Sequence, residues 1–535
     1  MTTTHKRYEM MKFYLLIIGF CLCLKDIIST KLVYPSSPLS PSQLLHDIHQ
    51  AIANNASIYS IASGIYNFST FPDLSFTMTS PTNFILDGNN NVLLIFAPKQ
   101  GISITNGTNV TISGIAIDYS PLAFTQGVIS NTSYFNGYHI LFSFTFILEP
   151  GYPSIEFIQS LGESKVYFYN ASTRLLFHDQ VETSPVLHNF TSFGNNVYYV
   201  FASMPSTLLG WHPTSFDTLA TISASPNPAI QCQECENLVL EDITVHSSSG
   251  MGFVEMGGVG NTVIRRWNAI PPPTSLPPIK RLLVTTLDGI HSTSVQKGLS
   301  LLDSTVSFSG DDAFAVHCEL GISWGTPTEG NDSELYIIDT GGNLARTIAL
   351  AKPGEELLFF ALNDTMTPLG KAIIKSNSIE TNNTLQMEAA NATADIQKLL
   401  HITIRPLTIN STLLMRMSFT SPLSPHLRTR FAALVQYTGR CGLGTYIKNT
   451  TLTDSSGGMR LKGINVSVSS STIARAYGMR MLPEPFWTQS TSFNISIVNN
   501  IFRECGHAPA SPDAISYLNE TCTGLVLINN TFYST

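Results

Sequence analysis

The stretch LDGIHSTSVQKGLSLLDSTVSFSGDDAFAVHC, Leu287 to Cys318, decides how this chain is read. It opens on Asp288, Gly289, Ile290 and His291 and closes on Gly310, Asp311, Asp312, Ala313 and His317. Asp288 stands 23 and 24 positions before Asp311 and Asp312, an interval that suits one turn of a right-handed parallel β-helix. Residues one turn apart on such a coil are strand neighbours, roughly 4.8 Å apart. Three carboxylates would then crowd one patch of surface, and glycoside hydrolysis needs carboxylates gathered in this way.

Outward from that stretch one phrase recurs: polar, aliphatic, polar, aliphatic, a turn residue, another aliphatic. It begins at Asn109, Asn237, Gly298, Gly444, Asn465, Asn494 and Gly524. Period-2 alternation makes each phrase a half-buried strand. Strand-and-turn units repeating every 20 to 30 residues indicate a solenoid. The asparagine after each strand suits a tight bend with left-handed backbone angles. The expected fold is all-β, a parallel β-helix of the pectin-lyase-like kind.

Two stretches break the rhythm, residues 125–223 and 321–423. Each is too long for a structureless loop, so both are read as small β-domains, barrel-like, inserted between coils and flanking the acidic patch. Ahead of the coils, Ser40, Pro41 and Gln43 form a helix start, with Leu44, Leu45, Ile48 and Ile52 at helical spacing. A short helix there would cover the open edge of the first coil. The expected division is 1–29 signal peptide, 30–124 capping helix and first coils, 125–223 first insert, 224–320 coils with the acidic site, 321–423 second insert, and 424–535 last coils. The final phrase runs to the last residue, so a C-terminal cap is expected to be missing from this chain. Pro271 to Pro278 is read as a stiff extended loop that walls the cleft or merely rims it.

Bulk composition narrows the function. Charged residues make up 12% of the 535 and net charge is −8, with a pI of about 5.9. That balance argues against a polyanionic partner such as nucleic acid. No apolar run after residue 30 is long enough for a membrane span. Lys6, Arg7 and Lys12 precede the apolar run Phe13 to Leu24, which reads as an export signal. Asn-x-Ser/Thr sequons such as Asn106, Asn109, Asn465 and Asn494 fit a secreted glycoprotein. Six cysteines follow the signal, and their pairing stays open. The lone Cys232-x-x-Cys235 is read as a local disulfide or as buried coil residues rather than a zinc site.

Asp288, Asp311 and Asp312 are the candidate catalytic residues. Like charges held close resist joint ionisation, so one group keeps a proton to donate while its neighbour activates water. Consecutive strand residues face opposite sides, so Asp311 and Asp312 share a cleft only at a bend, which Gly310 permits. His291, His317, Glu484, Arg460 and Trp487 are candidate substrate-binding residues, with Arg460 also placed to balance negative charge. Trp324 and Trp211 are weaker candidates for stacking on sugars, since core packing is the commoner fate of tryptophan. No cofactor and no metal is required. The competing reading is a calcium-dependent polysaccharide lyase with Lys280 or Arg281 as the base.

These residues resemble the glycoside hydrolases of family 110, α-1,3-galactosidases that remove terminal galactose from blood-group-B-type structures. The similarity spans nearly the whole mature chain. It is carried by Ile117 to Gly127, Ser248 to Phe253, Asp288 to His291, Gly310 to Ala313 with His317, Pro353 to Leu357, and Pro368 to Lys371. The resemblance implies a β-helix with two inserted barrels and an inverting exo-glycosidase using Asp288, Asp311 and Asp312. Its partner would be a glycan or oligosaccharide. Two departures stand out: Ala315 replaces the usual Asn before the His, and Trp487-Thr-Gln489 lacks the usual acid. An inverting mechanism predicts about 6.5–9.5 Å between Asp288 and one of Asp311 or Asp312. A polygalacturonase-like or pectate-lyase-like enzyme and an inactive carbohydrate-binding protein on the same scaffold are the other readings.

Overall fold

A computed structural model describes residues 32–33, 39–135, 140–177, 185–204, 217–273, 280–317, 320–325, 332–339, 351–361, 364–389, 413–428, 433–481, 492–505, 514–516 and 522–533. The proposed signal, Glu484, Trp487, Gln489 and Trp211 lie outside them.

The chain winds as a right-handed parallel β-helix. Two long parallel sheets, of 19 and 9 strands, run along it. Aliphatic side chains at matched positions stack inside. One ladder runs Ile112, Leu240, Ile264, Leu301, Ile447, Val468 and Ile497, each in register with the next. All seven are fully buried. The periodic phrases thus place one aliphatic per strand in a continuous core.

The bends between strands are held by asparagines in the left-handed region, including Asn109 (φ 54°), Asn237 (φ 54°) and Asn261 (φ 61°). Their amides also form a ladder: Asn109 donates to Asn83 at 2.9 Å, Asn237 to Asn109 at 2.9 Å and Asn261 to Asn237 at 2.7 Å. Asn109 and Asn237 each give one bond and receive one, so bend residues lock successive coils together.

The helix Pro41–Ala53 precedes the coils, capped by the Ser40 hydroxyl, which accepts from the Gln43 N–H. It buries Leu44, Leu45 and Ile48 against the coil core. Both inserts are closed barrels of six strands, with strands between Phe124 and Ala224 and between Leu320 and Tyr437. Each has an apolar core of its own. Trp324 packs in the second barrel, buried among Ile322, Tyr336 and Ile338. Asp118, in the phrase leading out to the first barrel, accepts from both terminal nitrogens of buried Arg281 at 2.6 and 3.0 Å. Cys232 and Cys235 form a disulfide, and Cys441 is also disulfide-bonded. No helix of the described residues is long and apolar enough to cross a membrane.

Candidate active site

The nine-stranded sheet positions the acidic groups. Its strands Phe253–Met256, Ile290–Thr293, Phe314–His317, Met459–Leu461 and Met479–Arg480 pair in parallel, in register. The first residues of these strands, Phe253, Ile290, Phe314, Met459 and Met479, point inward and are fully buried. The alternate positions form the outer ladder Val254, His291, Ala315, Arg460 and Arg480.

Asp288 precedes the Ile290 strand, and Asp312 occupies the matching place one coil later. The Gly289 N–H donates to the Asp312 carbonyl at 2.8 Å, which fixes that register. Residues 310–313 bend rather than continue as strand, so Asp311 and Asp312 both reach the same side. Gly310 is required by proximity: a Cβ there would lie 2.6 Å from the Thr286 carbonyl oxygen and 3.1 Å from the Tyr167 hydroxyl. One oxygen from each of Asp288, Asp311 and Asp312 lies within 4.8 Å of the others.

The expected 6.5–9.5 Å spacing is therefore not what the nearest oxygens show. The reason is mechanical. Asp288 and Asp312 are register neighbours, and adjacent coils are held about 4.8 Å apart by backbone hydrogen bonds.

Each carboxylate has different partners. Asp312 is 1% exposed. It meets Arg460 Nε at 3.0 Å and an Arg480 terminal nitrogen at 2.9 Å, and it accepts from the Gly458 N–H at 3.1 Å. Gly457 leaves room for this: a Cβ there would sit 2.3 Å from Asp312 Oδ1. Asp311 is half-buried and faces Lys165 Nζ at 3.8 Å. Lys165 comes from the strand Ser164–Asn170 of the first barrel, so that barrel forms a wall of the site. The Tyr167 phenol, together with Asp311, Asp288 and Glu163, holds the Lys165 ammonium above the usual lysine range despite burial. Asp288 Oδ2 is hydrogen-bonded to His291 Nδ1, and His291 Nε2 lies 2.9 Å from His317 Nε2.

The structure thus brings His291, His317 and Arg460 to the carboxylates. Lys280 and Arg281 do not join them: Lys280 lies over the Phe308 ring, 5.1 Å from its centroid, and Arg281 is taken by Asp118. Pro271 to Pro273 line a separate cleft of about 530 Å³ with Lys280, Phe308 and Thr453. Sequence reasoning missed Lys165 and Arg480. Nothing near Lys165 signals its role. Arg480 had a signal: Gly458-Met-Arg460 recurs one coil later as Gly478-Met-Arg480.

A divalent cation fits this donor set poorly. Both oxygens of Asp312 and one of Asp311 already face Arg480, Arg460 and Lys165. Three positive side chains balance three negative ones, so little net field remains to hold an ion.

Comparison with family models gives no match. Comparison with curated proteins also gives none. Among solved structures, the chain is similar to the A-module of mannuronan C-5 epimerase AlgE4 from Azotobacter vinelandii. That likeness has 8% identity and a TM-score of 0.33, covering 93% of this chain and 92% of that one. A second is the Gp54 tailspike of Acinetobacter baumannii bacteriophage AP22, solved with a capsular saccharide. It has 10% identity and a TM-score of 0.16, covering 96% of this chain and 68% of that one. The fold assignment rests on the strand registers above.

Proposed function

We propose that the protein is a secreted glycoside hydrolase that removes terminal α-linked galactose from glycans. The observation that carries the reading is the convergence of Asp288, Asp311 and Asp312 within 4.8 Å, each with different partners. Hydrolysis needs a proton donor, a group that activates water or attacks carbon, and stabilisation of a positively charged transition state. Asp288, backed by His291, is the proton donor. Asp311, the most accessible of the three and held beside a lysine, is the base or nucleophile. Asp312, clamped by two arginines, is a fixed negative charge beneath the reacting carbon. The sugar and the linkage come from the family 110 resemblance.

The test is NMR analysis of products from a panel of α-galactosyl and galacturonosyl oligosaccharides. Free galactose from the first set, lost in Asp288→Asn and Asp311→Asn, supports the reading. The anomer released first decides the stereochemistry. The resemblance implies inversion, whereas the close oxygens lie nearer the retaining interval of about 5–5.5 Å between carboxyl groups. Binding without release in wild type would leave an inactive carbohydrate-binding protein in its place.

A further inference from the structure

Behind Asp288 lies a chain of hydrogen bonds that hydrolysis by the carboxylates alone does not use. His291 Nδ1 meets Asp288 Oδ2, its Nε2 lies 2.9 Å from His317 Nε2, and His317 Nδ1 lies 3.4 Å from Thr293 Oγ1. The imidazoles stand edge to face, centroids 4.8 Å apart at 89°. This arrangement follows from register. His291 and Thr293 are outward positions of one strand, Ala315 and His317 those of the next, and His317 pairs with Thr293. Small Ala315, in register with His291, leaves room for the two rings to meet.

Two ring nitrogens at that distance share one proton, because two N–H groups or two lone pairs would repel. The chain therefore has one direction at a time. With His291 neutral, its Nδ1–H donates to Asp288 and its Nε2 accepts from His317 Nε2–H. His317 Nδ1 then accepts from the Thr293 hydroxyl. A proton arriving at His317 Nδ1 reverses the order. His317 passes its Nε2 proton to His291 Nε2, and His291 passes its Nδ1 proton to Asp288. One proton enters and one leaves, each new bond to hydrogen matches one broken, and both tautomers must return to the first order before the next turnover.

We propose that His291 and His317 are positioning residues that return a proton to Asp288 after each turnover. The proposal rests on the hydrolase reading and deepens it. The side chains of Asp288 and His291 are only 8% and 13% exposed, so a sugar seated over the carboxylates closes the direct path from water. The charged groups facing this chain are Asp311 and Asp312 beside Asp288, Lys165 beyond Asp311, and Arg460 two places along the His291 ladder. Lys462, next to the His317 end, donates its N–H to the Val316 carbonyl at 2.9 Å. The two histidines are thereby assigned to the carboxylate rather than to sugar hydroxyls.

The test compares two galactosides, a disaccharide and a 4-nitrophenyl glycoside, with wild type, His317→Phe and His317→Gln. A sugar leaving group needs a proton and a nitrophenolate does not. General acid catalysis is worth about 10²–10⁴-fold. His317→Phe should therefore lose about 100-fold or more on the disaccharide and under about 10-fold on the aryl substrate. His317→Gln keeps an N–H donor toward His291 but cannot pass a proton, so it should lose as much on the disaccharide as His317→Phe, and recovery there would overturn the proposal. Equal losses on both substrates, or no loss, would overturn the proposal. Nitrogen-15 spectra of histidine-labelled wild-type protein supply a check independent of activity. They should show a single proton between the two facing Nε2 atoms, on His317 with His291 carrying Nδ1–H or on His291 with His317 carrying Nδ1–H; protons on both Nε2 atoms would overturn it. Wild type that splits neither substrate sinks the hydrolase reading instead, while the spectra still judge the histidine pair.

Discussion

Asp312→Asn tests the division of labour among the carboxylates. Asparagine keeps the size of the side chain and can still accept from the Gly458 N–H. It leaves Arg460 and Arg480 facing a neutral amide inside a site where residue 312 is 1% exposed. Removing one partner of a buried ion pair destabilises by about 3–5 kcal/mol. The one charge-assisted hydrogen bond, from Arg480 to Asp312 Oδ1, accounts for about 1.5–3 kcal/mol of this, and the Arg460 ion pair adds the rest. The lower end is the better expectation, because the Arg460 side chain is 16% exposed and water screens part of its share. Equilibrium urea unfolding of wild type, Asp312→Asn, Arg480→Met and the double variant measures this. The double-mutant cycle should return a coupling of about 2 kcal/mol or more, within the range for residues in one buried network. A loss below about 1 kcal/mol, with the two changes additive, would refute the claim that Asp312 is a clamped ion-pair centre.

Lys165→Met should cut turnover while Lys165→Arg restores a large part of it, measured on the same galactoside; a Met variant at wild-type rate would remove the first barrel from the mechanism. Burial raises the Glu255 carboxyl above its ordinary value, against the opposing bonds from Ser292 and Thr262. The folded state then holds the proton more tightly than the unfolded one, so stability is full below the ordinary carboxylate range and falls as pH rises from there through the raised folded-state value. Glu255→Gln should flatten that decline, read by unfolding midpoints across a pH series. Leu301→Ala opens a cavity in the stacked aliphatic ladder and should cost about 2.7–5 kcal/mol in urea unfolding. Gly457→Ala would drive a methyl into Asp312, so both stability and turnover should fall in the same assays.

The coils were legible because their physics is local. Alternating aliphatics after Asn109, Asn237 and Asn465 mark a strand and a bend within seven residues, and the interval from Asp288 to Asp312 is one circuit of the chain. The inserts were legible as interruptions of that rhythm, and the helix from Pro41 by its cap. The site's positive charges were harder. Arg460 was visible, and its repeat at Arg480 could have been. Lys165 could not be read, since a barrel strand far upstream meets Asp311 only after the first insert has folded against the coil. The carboxylate interval was taken from substrate chemistry, whereas adjacent coils bring one oxygen of each carboxylate within 4.8 Å of the others. The histidine pair was visible as two residues, but their contact depends on register across two strands and on the small side chain of Ala315.

The most direct measurement is a proton NMR time course of the purified protein with an α-1,3-galactosyl oligosaccharide, run beside Asp288→Asn. The account expects galactose to appear with wild type and not with a variant that stays folded. Galactose at equal rates from both, or none from wild type on any galactoside, would contradict it.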